Sequence, residues 1–126
     1  MIHGECLCGA VAFDVARDGL DIYQCHCSLC RRATGSNANA GAIVDVAEFA
    51  WAMADPGGDA IGSHRCPTGY RNDFCRRCGS TVPNLMADGL RVWLPAGLLG
   101  DHPGIRLVRH LHLESRAQWD PVAPAD

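Results

Sequence analysis

A chain of 126 residues holds one hydrophobic core, which excludes two independently folding domains. Its net charge of −3 and isoelectric point near 6.0 argue against a nucleic-acid phosphate backbone as partner. Hydrophobic content is 48%, but aromatic content is only 6% and alanine is abundant, so packing alone makes a light core. Eight cysteines are the obvious second source of stability. The eleven basic side chains are all arginine, whose planar fork suits carboxylates. The opening MIHGECLCGA lacks a basic stretch followed by an apolar one, so no secretory signal is expected. No run is long enough to cross a bilayer. Without a signal, clustered cysteines read as metal ligands rather than disulfides, and a cytoplasmic location is expected, with no membrane partner.

Residues 1–120 are expected to form one zinc-bound β domain, and residues 121–126 a flexible tail. Val11, Phe13 and Val15 alternate as a half-buried strand does, and residues 21–25 could pair with it. Residues 28–34 suit one or two helical turns, ended by Gly35. Residues 38–46 favour a strand near Ile43 and Val44, and 53–58 is a Pro/Gly loop. Residues 81–87 and 90–94 flank Asp88-Gly89, a dipeptide that favours the two-residue turn of a hairpin. Residues 105–113 alternate again, which would put His110 and His112 on one face of a strand. Short strands joined by turns, without a long amphipathic helix, predict a mainly β sandwich or open barrel.

Seven cysteines fall into three groups: Cys6 and Cys8; Cys25, Cys27 and Cys30; Cys75 and Cys78. Zinc takes four soft ligands at tetrahedral corners, and a tight turn delivers two thiolates to adjacent ones. Glycine follows both Cys8 and Cys78, where a left-handed backbone would aim amides at the sulfurs. Pairing two with two makes Cys6, Cys8, Cys75 and Cys78 a closed tetrathiolate site, with Arg76 and Arg77 available to offset its charge. Cys25, Cys27 and Cys30 then remain. Three protein ligands with a free fourth position is the arrangement of a catalytic metal. The fourth position could instead be closed by Cys66, His26 or His64, or the group could hold no metal, with a disulfide between two of its three cysteines.

The segments Gly4–Val11, Cys25–Gly35 and Phe74–Ser80, with Arg109–Leu113 and Ser115–Trp119, resemble the glutathione-dependent formaldehyde-activating enzyme family. The resemblance runs in order along nearly the whole chain. It implies a zinc-stabilised complex β-sandwich of short antiparallel strands, like that of the methionine-R-sulfoxide reductases. It also implies a structural zinc on Cys6, Cys8, Cys75 and Cys78, and a catalytic zinc on Cys25, Cys27 and Cys30. The implied reaction joins formaldehyde and glutathione as S-(hydroxymethyl)glutathione, a carbon–sulfur lyase activity with glutathione as co-substrate. Arg31 or Arg32, directly after the third ligand, could receive a glutathione carboxylate. One departure stands out: family members commonly carry a bulky residue after Thr34-Gly35, but here the stretch is Ser36-Asn37-Ala38-Asn39-Ala40. That predicts a smaller, more polar wall to the site.

Two other readings compete. A non-catalytic zinc or partner-binding module would have a closed second site. A reductase would need a metal-free nucleophilic cysteine, and Cys66 is the candidate.

Overall fold

Alternating side chains fix which strands share a core. In chain order the elements are β1 (Ile2–Glu5), β2 (Ala12–Val15), β3 (Leu20–Cys25), the helix α1 (Ser28–Thr34), β4 (Asn39–Asp45) and β5 (Phe49–Trp51). They continue with β6 (Ile61–Arg65), β7 (Arg71–Cys75), β8 (Asn84–Leu85), β9 (Arg91–Pro95) and β10 (Ile105–Leu111). The computed structural model describes residues 1–53, 55–56 and 58–121. Ala54 and Gly57 of the expected loop, and 122–126 of the expected tail, lie outside the described residues.

Three strands, in the order β1-β2-β5, form one sheet, and five, in the order β10-β3-β4-β9-β8, form another. A hairpin of β6 and β7 stands apart. Ile2, Phe13 and Val15 from the smaller sheet meet Leu20, Ile22, Ala42, Val44, Val92 and Leu94 from the larger. Both inner faces are thus used, as in a sandwich. A second, smaller cluster of Cys6, Val11, Cys75 and Val82 surrounds the first cysteine group.

Four expectations are corrected. β3 does not pair with β2: β2 lies between β1 and β5, and β3 between β10 and β4. The β3–β10 pair is parallel, unlike the antiparallel rest of the sandwich. Asp88-Gly89 does not make a two-residue turn. The Gly89 N–H bonds to the Met86 carbonyl, and the Asp88 carboxylate accepts from the N–H groups of Leu90 and Arg91, which widens the loop to Ala87–Leu90. Finally, a bulge between Leu107 and Arg109 breaks the alternation of β10, and His112 follows the strand with a φ of 56°. His110 and His112 therefore do not share a strand face. No helix among the described residues is long and apolar enough to cross a membrane.

Candidate metal centres

Two loops of similar build carry the first cysteine group. The Cys6 N–H bonds to the Val11 carbonyl and the Gly9 N–H to that of Cys6. Likewise the Cys75 N–H bonds to the Ser80 carbonyl and the Gly79 N–H to that of Cys75. Gly9 and Gly79 both have φ of 81°, a region that glycine enters without steric cost, so each chain turns back over its sulfurs. The Val11 N–H points at Cys6 Sγ (3.3 Å) and the Arg77 N–H at Cys75 Sγ (3.4 Å). Cys6 Sγ and Cys8 Sγ are 3.7 Å apart, as are Cys8 Sγ and Cys75 Sγ. Tetrahedral zinc with sulfur at about 2.3 Å requires sulfur–sulfur edges of about 3.8 Å. The four sulfurs of Cys6, Cys8, Cys75 and Cys78 lie within 4.8 Å of one another, so the donor set fits zinc in both chemistry and spacing. Arg76 and Arg77 are exposed beside it.

Ser80 ties the two loops together. Its Oγ accepts the Leu7 N–H at 3.1 Å and lies 3.2 Å from Cys78 Sγ. The hydroxyl and backbone N–H of Ser80 hold the Cys78 thiol down at about 5, which favours the thiolate form that a metal takes. Outer-shell hydrogen bonds of this kind set ligand orientation and affinity. Ser80→Ala is therefore expected to weaken zinc binding at this site about ten- to a hundredfold, read by competition with a chromophoric chelator. Unchanged affinity would show that the hydroxyl contributes nothing to the ligand set.

The second group is built on a strand end and a helix start. Cys25 ends β3, Cys27 is the N-cap of α1, and Cys30 lies in its first turn. Cys27 Sγ accepts the Cys30 N–H at 3.3 Å, and Gly35 closes the helix through its N–H to the Arg31 carbonyl. The three sulfurs lie within 4.8 Å of one another. Burial pushes the Cys30 thiol up to about 12 and raises Cys25 as well. Burial acts on Cys27 too, but the N–H and S–H groups of Cys30 and the Cys25 thiol outweigh it and hold Cys27 below the ordinary range. A first thiolate charge therefore falls most readily on Cys27, while Cys25 and Cys30 hold their protons more tightly. A dication in their midst would replace those protons.

Neither Cys66, His26 nor His64 joins this group among the described residues. His64 is exposed on β6. His26 points the other way: its fully buried ring donates to or accepts from His110 across 2.9 Å, and its Nδ1 lies 3.8 Å from the Asp120 carboxylate. Burial first, then His110, lowers its pKa, so a neutral ring fills the space behind the cysteines. The His26 N–H bonds to the Leu111 carbonyl, which fixes the backbone between Cys25 and Cys27. All eight cysteines are free thiols.

Cys25 and Cys30 open onto a cavity of about 580 Å³ between the outer face of the large sheet and the β6–β7 hairpin. Tyr70, at the start of β7, reaches across it to place its hydroxyl 3.4 Å from Cys30 Sγ. Burial and the Cys30 sulfur raise the Tyr70 pKa, so the phenol keeps its proton and donates. No spacing in the sequence announced Tyr70; a lone tyrosine in the polar stretch Thr68–Asn72 gives no signal. The cavity's basic side chains also come from this hairpin, as Arg65 and Arg71, whereas Arg31 and Arg32 do not line it. The Arg31 Nε instead donates to the His26 carbonyl at 3.4 Å, and Arg32 is exposed. Arg71 is held by Asp73 in a bidentate pair with both bonds at 2.9 Å. Arg65 makes no ion pair among the described residues. The expectation of a small polar wall is corrected too. Asn39 does line the cavity, but Trp93, Met86 and Tyr70 supply the bulk from other elements.

The family model described as glutathione-dependent formaldehyde-activating enzyme matches residues 1–115. The chain belongs to that family. Among solved structures, a crystal structure of a Rhodobacter sphaeroides protein is similar at a TM-score of 0.60 and 25% identity. The alignment covers 80% of this chain and 91% of that one. No curated protein matches. The geometry shows which of the three cysteine groups faces a cavity.

Proposed function

We propose that the protein is a zinc enzyme of the carbon–sulfur lyase type, acting on the adduct of a thiol, glutathione, with a small carbonyl such as formaldehyde. In this reading residues 1–120 form one unit, Cys6, Cys8, Cys75 and Cys78 hold a structural zinc, and Cys25, Cys27 and Cys30 hold a catalytic one. The observation that carries it is the contrast between the clusters: four sulfurs close the first, while three form the second and two of these line the cavity. Zinc on three thiolates favours the thiolate form of an incoming thiol at neutral pH. The chain's own residues do the rest. Tyr70 donates to Cys30 Sγ, which holds that ligand in place, and Arg65 offers an unpaired fork to a carboxylate. Arg31 and Arg32, farther from the cavity, are second candidates for that contact. Addition forms one C–S bond, and the thiol proton ends on the carbonyl oxygen; the reverse reaction breaks that bond. Free thiols throughout suit a reducing compartment such as the cytoplasm.

The test uses cobalt-loaded protein, whose thiolate bands report each ligand. Glutathione is expected to change the bands of the three-cysteine site saturably, and its serine analogue, lacking the thiol, to leave them unchanged. Loaded protein should also speed formation of S-(hydroxymethyl)glutathione. If glutathione leaves both spectrum and rate unaltered, the thiol-adduct reading fails.

A further inference from the structure

The cavity must hold glutathione, a charged tripeptide without a large apolar group, as well as the carbonyl. Its volume of about 580 Å³ lies in the range that encloses drug-sized ligands. Alternation along β4 explains its floor: Ala42 and Val44 enter the core, so Asn39, Gly41 and Ile43 face outward. Asn39 is the register partner of Cys25, so the floor begins beside the cysteines. It ends four residues on at Ile43, about 13 Å away at a strand's usual rise. Gly41 lies between, and a Cβ there would come within 2.3 Å of the Trp93 ring. The missing side chain lets the indole lie against the strand and pave the middle of the floor. Leu85 and Met86 close the far end from the β8–β9 turn. Cys25, Cys30 and Tyr70 thus mark one end of the cavity, and away from them Trp93, Ile43, Leu85 and Met86 make an apolar stretch edged by Asn84, the register partner of Trp93.

We infer that the carbonyl partner carries an extended apolar substituent, so that the preferred substrate is the glutathione adduct of a medium-chain or aromatic aldehyde rather than of formaldehyde. This rests on the thiol-adduct reading above. Glutathione's sulfur sits by the three cysteines, Arg65 takes a carboxylate at the mouth, and the substituent lies along Gly41 and Trp93 toward Ile43. A hydrogen substituent, as in formaldehyde, leaves that floor uncovered.

The inference is tested by calorimetric binding of glutathione, S-methyl-, S-butyl- and S-hexylglutathione to the zinc-loaded protein. Affinity is expected to rise about two- to fourfold per methylene from S-methyl- to S-hexylglutathione, which share a thioether sulfur that, unlike glutathione's thiol, forms no thiolate. Ile43→Trp, which fills the far end, should flatten that dependence. Met86→Trp, on a turn where the fold tolerates change more readily, should do the same and guards against misfolding of the first variant. Affinity independent of chain length, with glutathione itself still bound, overturns this inference alone. No binding anywhere in the series overturns the thiol-adduct reading and this inference with it.

Discussion

A Cys75→Ser chain is expected to show no cooperative thermal transition, and the wild type stripped by a strong chelator is expected to behave alike. Cys75 is fully buried at the end of β7 and contributes a sulfur 3.7 Å from that of Cys8. The apolar cluster around it is small, and two of its four buried members, Cys6 and Cys75, are themselves candidate ligands. Structural zinc on such a set binds with an apparent 10–16 kcal/mol, about the size of a whole domain's stability of 5–15 kcal/mol. Removing it also leaves thiols packed against one another with no charge to satisfy them. Circular dichroism during heating checks this. A transition within a few degrees of wild type would show that the sandwich core alone carries the fold.

Cys27→Ser is expected to have the opposite character: a folded protein with one metal instead of two and no turnover. Serine is as good an N-cap as any residue, so the first turn of α1 keeps its bond to the Cys30 N–H. The serine hydroxyl is a poor ligand for zinc at neutral pH, however, and two sulfurs do not replace three. Changes one shell further out already lower metal affinity about 10–100-fold, so losing a ligand exceeds about a hundredfold. Metal analysis of freshly reduced protein, a thermal melt and a glutathione–formaldehyde assay together read the result. Retention of both metals, or of turnover with one, would remove Cys27 from the catalytic set.

The grouping of the sulfurs was legible in the sequence because tight turns are local. Cys6 with Cys8, and Cys75 with Cys78, each sit in one turn, and the glycines after them mark the left-handed backbone. The strand at Ala12–Val15 and the helix at Ser28–Thr34 were legible for the same reason, through alternation and through the glycine that ends the helix. Strand partners were not. β3 packs beside β10, some eighty residues later, and nothing in either segment names the other. β6 and β7 escaped notice because their hairpin is largely polar and half exposed, so IGSHR and RNDFC show no apolar period. Tyr70, Arg65 and Trp93 were hidden in turn, since their place at the cavity depends on those pairings. The arginines nearest Cys30 in sequence were the natural choice for a carboxylate, but a short helix turns Arg31 toward the His26 carbonyl instead.

β7 deserves its place in the chain for one more reason. Tyr70, which meets Cys30, immediately precedes it and Cys75 ends it, so a single five-residue strand links the two sulfur clusters. Whatever orders Cys75 also orders the hydroxyl that braces Cys30. By thermodynamic reciprocity, any effect that a metal ion in one cluster had on the affinity of the other would be returned by the same factor.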